Sequence, residues 1–279
     1  MATDAGVSID TSSYALTGGP PGSRTIAGAI DRWIYVFMAG LFVVTALAGF
    51  IPDSLAKVAA VQAGQRPPFP IALHAHAVLM GAWLLLLLAQ TSLMATGRSG
   101  WHRRLGVASM VLAPAIVLVG FILVPTMYRS TWTMVQAAPP EMAAGMQQIL
   151  GFVNNILLVQ LRIGILFPLF VALALAARRK DPGTHKRFII LATVLPLPAA
   201  IDRMFWLPHT MPDSPLSIDL YMLLWISPMF LWDLFRLGRV HRTYLVWFAA
   251  NLPFVVVLHL LWGSAWWAET APRLMGVSG

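Results

Sequence analysis

Few side chains in this sequence are equipped for chemistry. His74 and His76 stand two residues apart at the head of an apolar run from Ile71 to Thr96, and Met80 follows His76 by one helical turn. Arg162, Asp202 and His259 lie within three further apolar runs, with His209 just after the second of them. Imidazole and thioether groups ligate haem iron or copper. Ionisable groups inside a bilayer are costly, so they are usually paired or functional.

Spacing narrows what these residues can do. Two residues apart on a helix means about 200° around its axis. His74 and His76 therefore share one metal only if the backbone after Pro70 is irregular. On a regular helix His76, Met80, Trp83, Leu87 and Gln90 form one inward stripe. Haem b would take His76 and His259 as axial ligands with Met80 as a further candidate ligand, and Arg162 and Asp202 as a charge pair beside them. Copper or zinc would instead take His74, His76 and His209. Plain core packing is the alternative for the methionine and aromatic stripe. Arg162 is expected to pair with Asp202, as a structural link between two helices, a proton relay or a partner for a haem propionate. The basic turns carry His102-Arg103-Arg104, His185-Lys186-Arg187 and His241-Arg242. They read either as an inner ring of imidazoles or as topology anchors.

Other chemistries are absent. The sequence has no cysteine, which removes disulfides, thiolate ligands and haem attached through C-x-x-C-H. It contains no G-x-x-x-x-G-K-[ST] loop, no H-E-x-x-H pair and no G-x-S-x-G elbow. The last apolar run holds no lysine, so a retinal Schiff base of the rhodopsin type is not expected.

The elements that must carry these groups are transmembrane helices. Of 279 residues, 58% are hydrophobic and 11% charged, against about 25% charged in soluble domains. A bilayer core of roughly 30 Å needs about 20 apolar residues. Seven stretches qualify: Trp33 to Ile51, Ile71 to Thr96, Leu105 to Met127, Ile156 to Ala177, Phe188 to Leu207, Ile218 to Leu237 and Tyr244 to Trp262. The expectation is an all-α polytopic bundle over residues 31–279, preceded by a flexible cytoplasmic tail over 1–30. Between spans, cations cluster in alternate loops: Arg98, Arg103 and Arg104, then Arg178 to Lys180 with Lys186 and Arg187, then Arg236, Arg239 and Arg242. The positive-inside rule then puts the N-terminus inside and the C-terminus outside. The net charge of +8 is explained this way, with no nucleic-acid partner implied. Trp206, Trp262, Trp266 and Trp267 would form an outer aromatic belt.

Two stretches, LHAHAVLMGAWLLLLLAQTSLMATGRSGWHRRLG and RRKDPGTHKRFIILATVLPLPAAIDR, resemble a group of bacterial polytopic inner-membrane proteins of no established function. These share an HxHA opening, a W-x-x-L-L-x-x-Q span, an HRRLG turn and a later HKR turn. The likeness covers roughly Ile71 to Arg203 and implies a helical protein of the bacterial inner membrane. The layout of histidines at hairpin ends is also loosely similar to membrane cytochromes b and to oxidase-assembly membrane proteins. The leading functional expectation is a histidine-lined haem or metal site near the outer face with a redox or respiratory-complex role. The alternatives are a non-catalytic accessory subunit of a larger membrane complex and a proton-coupled small-solute transporter. The expected partners are the lipid bilayer and, in the accessory-subunit reading, other subunits of a membrane complex.

Overall fold

The computed structural model describes residues 25–277, and the expected tail lies largely outside them. Among the described residues the chain is helical: α1 (Ile26–Gln62), α2 (Ile71–Ala95), α3 (Ser99–Gln136), α4 (Ala143–Ala177), α5 (Pro182–Thr193), α6 (Pro198–Ile201), α7 (Leu216–Leu237), α8 (Arg242–Leu261) and α9 (Ala265–Leu274). Six of these, α1, α2, α3, α4, α7 and α8, are long and apolar enough to cross a membrane.

The long helices outrun their expected spans. α1 has 37 residues and α3 has 38, roughly 55 Å each at 1.5 Å per residue. Alanine, valine and glutamine continue these helices past the apolar stretches, so residues 52–62 and 128–136 between the expected spans are helical too. Residues 26–30 are also helical, with Thr25 as the N-cap accepting from the Gly28 amide.

The expected fifth span, Phe188 to Leu207, is not one helix. α5 stops at Thr193, and the four-residue α6 begins at Pro198. Pro196 and Pro198 have no N–H to bond Ala192 and Val194, so the ladder fails at two points within one turn. The chain tightens instead, with Leu195 N–H bonding Ala192 O at 3.3 Å and Leu197 N–H bonding Val194 O at 3.0 Å.

The core runs through the middle of the bundle. It is built from Met38 and Phe42 of α1, Trp83 of α2, Phe167 and Phe170 of α4, Leu191 of α5, Met229 of α7 and Trp247 of α8. Two tryptophans tie it to the broken segment: Trp83 Nε1 donates to Thr193 Oγ1 at 3.0 Å and Trp247 Nε1 to Leu191 O at 2.9 Å. The outward faces are apolar where a soluble protein's would be charged. Val78 and Val111 are 71% and 72% exposed. Such a surface fits a lipid bilayer.

The hairpin turns rich in Arg and Lys gather at one end, called here the basic end. Two imidazoles close hairpins there. His102 Nδ1 lies 3.3 Å from Gln90 O near the end of α2, and His185 Nδ1 lies 2.8 Å from Ala174 O near the end of α4. Ala174 O is one of the last four carbonyls of α4, which lack intrahelical donors, and the His185 ring supplies one; the His102 ring adds a tie to α2. His241 acts differently. It caps its own helix, its Nδ1 accepting from Thr243 N at 3.2 Å and from Thr243 Oγ1 at 2.8 Å. The three histidines are thus structural and do not form one ring of equivalent groups.

Candidate functional site

At the far end, opposite the basic turns, α4, α7 and α8 bring four polar side chains together. Arg162 is buried, its side chain 3% exposed. Its Nη1 donates to Asp219 Oδ1 at 2.6 Å, and its Nε and Nη2 donate to Asn251 Oδ1 at 3.3 and 3.1 Å. Asn251 is fixed in turn, Nδ2 donating to Trp247 O at 2.9 Å. The second Asp219 oxygen, Oδ2, lies 2.9 Å from His259 Nε2. Asp219 occupies the first turn of α7 and His259 the last turn of α8. Those are the ends where the helix dipole favours negative and positive charge respectively.

This geometry fixes the tautomer. Asp219, paired with Arg162, is ionised and can only accept. The hydrogen between the two groups therefore sits on His259 Nε2, and Nδ1 lies outside that bond. His259 is also the open member of the set, with 35% of its side chain exposed.

Arg162 and His259 are thus part of one centre, but Asp202 is not. The expected pair of Arg162 with Asp202 is replaced by Arg162 with Asp219, because Asp202 sits past the break after α6 and faces elsewhere. Its Oδ1 lies 3.9 Å from His209 Nδ1, and both atoms are buried without a hydrogen-bond partner. His209 Nε2 donates to Met204 O at 3.1 Å, which leaves Nδ1 and the Asp202 oxygen facing each other without a bond.

The proposed ligands do not converge. α2 is regular from Ile71, so His74 and His76 diverge as helical geometry requires. His74 is exposed against Phe69, with ring centroids 6.2 Å apart, and His76 is half-buried with Nδ1 unpartnered. Met80 packs against the apolar core beside the buried Trp83 and Leu87, as the stripe predicts. α2 packs chiefly on α1 and α3, and α8 on α4 and α5, so His76 and His259 sit on helices that are not close neighbours. Among the described residues no group of three or more His, Asp or Glu side chains is placed to hold a metal ion. The haem and metal readings, with His74, His76 and His209 as ligands or His76, Met80 and His259 as a haem pocket, find no support in this geometry.

The sequence reading passed over Asp219, Asn251 and Asp233. The signal was present. Asp219, Met222, Ile226, Met229 and Asp233 repeat at intervals of three and four, and all five are buried on one face of α7. Asp233 serves the basic end. It takes a bidentate pair from Arg187, Nε to Oδ2 at 2.7 Å and Nη2 to Oδ1 at 2.5 Å, and accepts from Tyr244 OH at 2.5 Å. That set is closed and locks α5, α7 and α8 together.

Further contacts brace the far end. Tyr128 OH donates to Asn154 Oδ1 at 2.6 Å, and Trp267 Nε1 to Asn154 O at 2.6 Å. Trp267 is therefore a buried clamp holding α9 on α4, not part of an aromatic belt, whereas Trp206 and Trp266 are exposed as expected.

No protein family, curated protein or solved structure matches the chain.

Proposed function

We propose that this is a multi-pass protein of the bacterial inner membrane that exchanges protons at His259, and that this exchange drives the movement of a small solute. Of the expectations from sequence, the contacts favour the proton-coupled transporter over the redox protein. The observation that carries the reading is the bond between His259 Nε2 and an Asp219 carboxylate already neutralised by buried Arg162. Taking up a proton at Nδ1 changes the centre from net neutral to net +1 without breaking its hydrogen bonds. A buried site whose charge changes by one unit binds an anion or repels a cation differently in its two states.

The proposed path of the chain suits such a role. In this reading it crosses seven times, with the segment over 182–207 as a broken crossing. Interrupted helices supply unwound backbone at transport sites. The positive-inside rule sets the basic end in the cytoplasm, so His259 opens to the outer side.

The test is proton flux into liposomes that hold purified protein and a trapped pH dye, under an imposed gradient and a panel of small anions. Wild type should acidify the lumen in the presence of its solute. His259→Gln keeps an N–H donor for Asp219 but cannot titrate, and should abolish coupled flux while melting at the wild-type temperature. Undiminished coupled flux in His259→Gln would overturn the assignment.

A further inference from the structure

The α2–α3 hairpin differs in charge from the other turns at the basic end. There, Arg187 is bound to Asp233, Arg242 to Asp181 and Arg236 to Asp31. From Ser54 to Pro140 the sequence contains no Asp or Glu. Arg98, Arg103 and Arg104 therefore have no acid in their own hairpin, and among the described residues none of the three forms an ion pair. α3 also starts without a side-chain cap, so the first-turn N–H groups have no side-chain acceptor.

These unneutralised cations stand over a groove. It runs between α2 and α3 with a volume of about 730 Å³, floored by Ala89, Leu93 and Leu105 and rimmed by Arg98, Trp101 and Arg104. The Arg104 guanidinium lies 5.5 Å from the Trp101 ring. An aromatic side chain and two arginines at the mouth of an apolar groove match a molecule with an anionic head and a hydrocarbon tail. A soluble anion would leave the floor uncovered, and a zwitterionic lipid would bring a cationic headgroup up against the arginines.

We propose that this groove is a specific site for one anionic phospholipid. The phosphodiester accepts hydrogen bonds from Arg98 and Arg104, and an acyl chain lies along Leu93 and Leu105. Basic pockets between transmembrane helices on the cytoplasmic side recognise lipid headgroups in this way. The site requires a bilayer around the chain but not proton exchange at His259, so the two proposals stand or fall separately.

Native mass spectrometry of the full chain in mild detergent tests this, with phosphatidylglycerol, phosphatidylcholine or inorganic phosphate added. One phosphatidylglycerol should remain bound per chain, at least tenfold in preference to phosphatidylcholine, and excess inorganic phosphate should not displace it. Arg98→Gln with Arg104→Gln should erase the preference. Leu93→Trp fills the floor without altering charge, and should lower lipid occupancy even if the arginine variant fails to fold. Equal retention of the two lipids, or full occupancy in Leu93→Trp, would overturn the proposal.

Discussion

Asp219 and Asp202 are both carboxylates at the far end of the bundle, yet they face opposite circumstances. Asp219 shares its oxygens between Arg162 and His259. Asp219→Asn would leave a guanidinium whose side chain is 3% exposed with no carboxylate to balance its charge. Removing one partner of a buried pair costs about 3–5 kcal/mol, which chemical denaturation in detergent should read as a large loss. Asp202 Oδ1 faces His209 Nδ1 across 3.9 Å, and neither atom has a hydrogen-bond partner. Asp202→Asn breaks no hydrogen bond there, so its stability should stay within about 1 kcal/mol of wild type. Equal damage from the two changes would show that the Arg162 centre is not the anchor described. At the basic end, His241 gives a pH signature. Burial, then nearby Arg187, hold its ring below the ordinary histidine value, while Asp233 and Asp181 oppose this and Arg242 adds to it. The unfolded chain therefore binds more protons than the folded one just below the ordinary value of 6.5. Stability is fully present above that pH and falls as pH drops through 6.5 toward the folded value. Protonation also removes the Nδ1 lone pair that caps α8. His241→Asn keeps an N-cap acceptor and should flatten the decline in melting temperature between pH 7 and pH 5.

At the scale of elements, α1 and the broken segment meet where only glycine fits. A Cβ on Gly49 would lie 2.0 Å from Ala200 O and 2.7 Å from Ala200 C. Those are backbone atoms of α6, so no rotamer change relieves the clash. Gly49→Ala must push α6 away from α1. Overpacking of this kind costs about 1–3 kcal/mol or more. Asp53, one helical turn on, bonds Arg203 Nε at 3.0 Å just after α6, so displacement should also loosen that pair. A drop in melting temperature, restored in part by no second change on α1, is the expected result. A wild-type melt for Gly49→Ala would mean that α6 does not seat on α1. The elements themselves were largely legible, because twenty apolar residues in a row admit few other structures. The helix ends were not legible, since alanine and valine carry a helix past the lipid as readily as through it. Arg162 and His259 stood out as costly charges in apolar runs. Their link, Asp219, did not, because it lies in the first turn of its helix and 57 residues from Arg162. Hydropathy says which residues are in helices, not which helices are neighbours. The break at Pro196 and Pro198 was visible in the sequence, but apolar composition on both sides disguised it as a continuous span.

For the whole molecule, two acidic residues of α1 mark the thickness that the chain must cross. Asp31 binds Arg236 at the end of α7, Nη2 to Oδ2 at 2.8 Å, and Asp53 binds Lys57 and Arg203. At 1.5 Å per residue the two aspartates are about 33 Å apart along the helix, close to a hydrocarbon core of roughly 30 Å. The broken segment bridges the same two levels. It leaves Asp181, which bonds Arg242 at the basic end at 2.5 Å, and reaches Arg203 beside Asp53. A path of that extent is what the proposed seventh crossing requires, although neither α5 nor α6 is long enough alone. Because the chain has no cysteine, single cysteines can report the side of each loop without a background to remove. In intact cells a membrane-impermeant maleimide should label Asp213→Cys, while Arg179→Cys and Arg239→Cys should react only after permeabilisation. Labelling of Arg179→Cys and Asp213→Cys from the same side would reduce the segment over 182–207 to a re-entrant loop. The six long helices would then carry the whole topology, and the far-end opening of His259 would have to be reassigned with it.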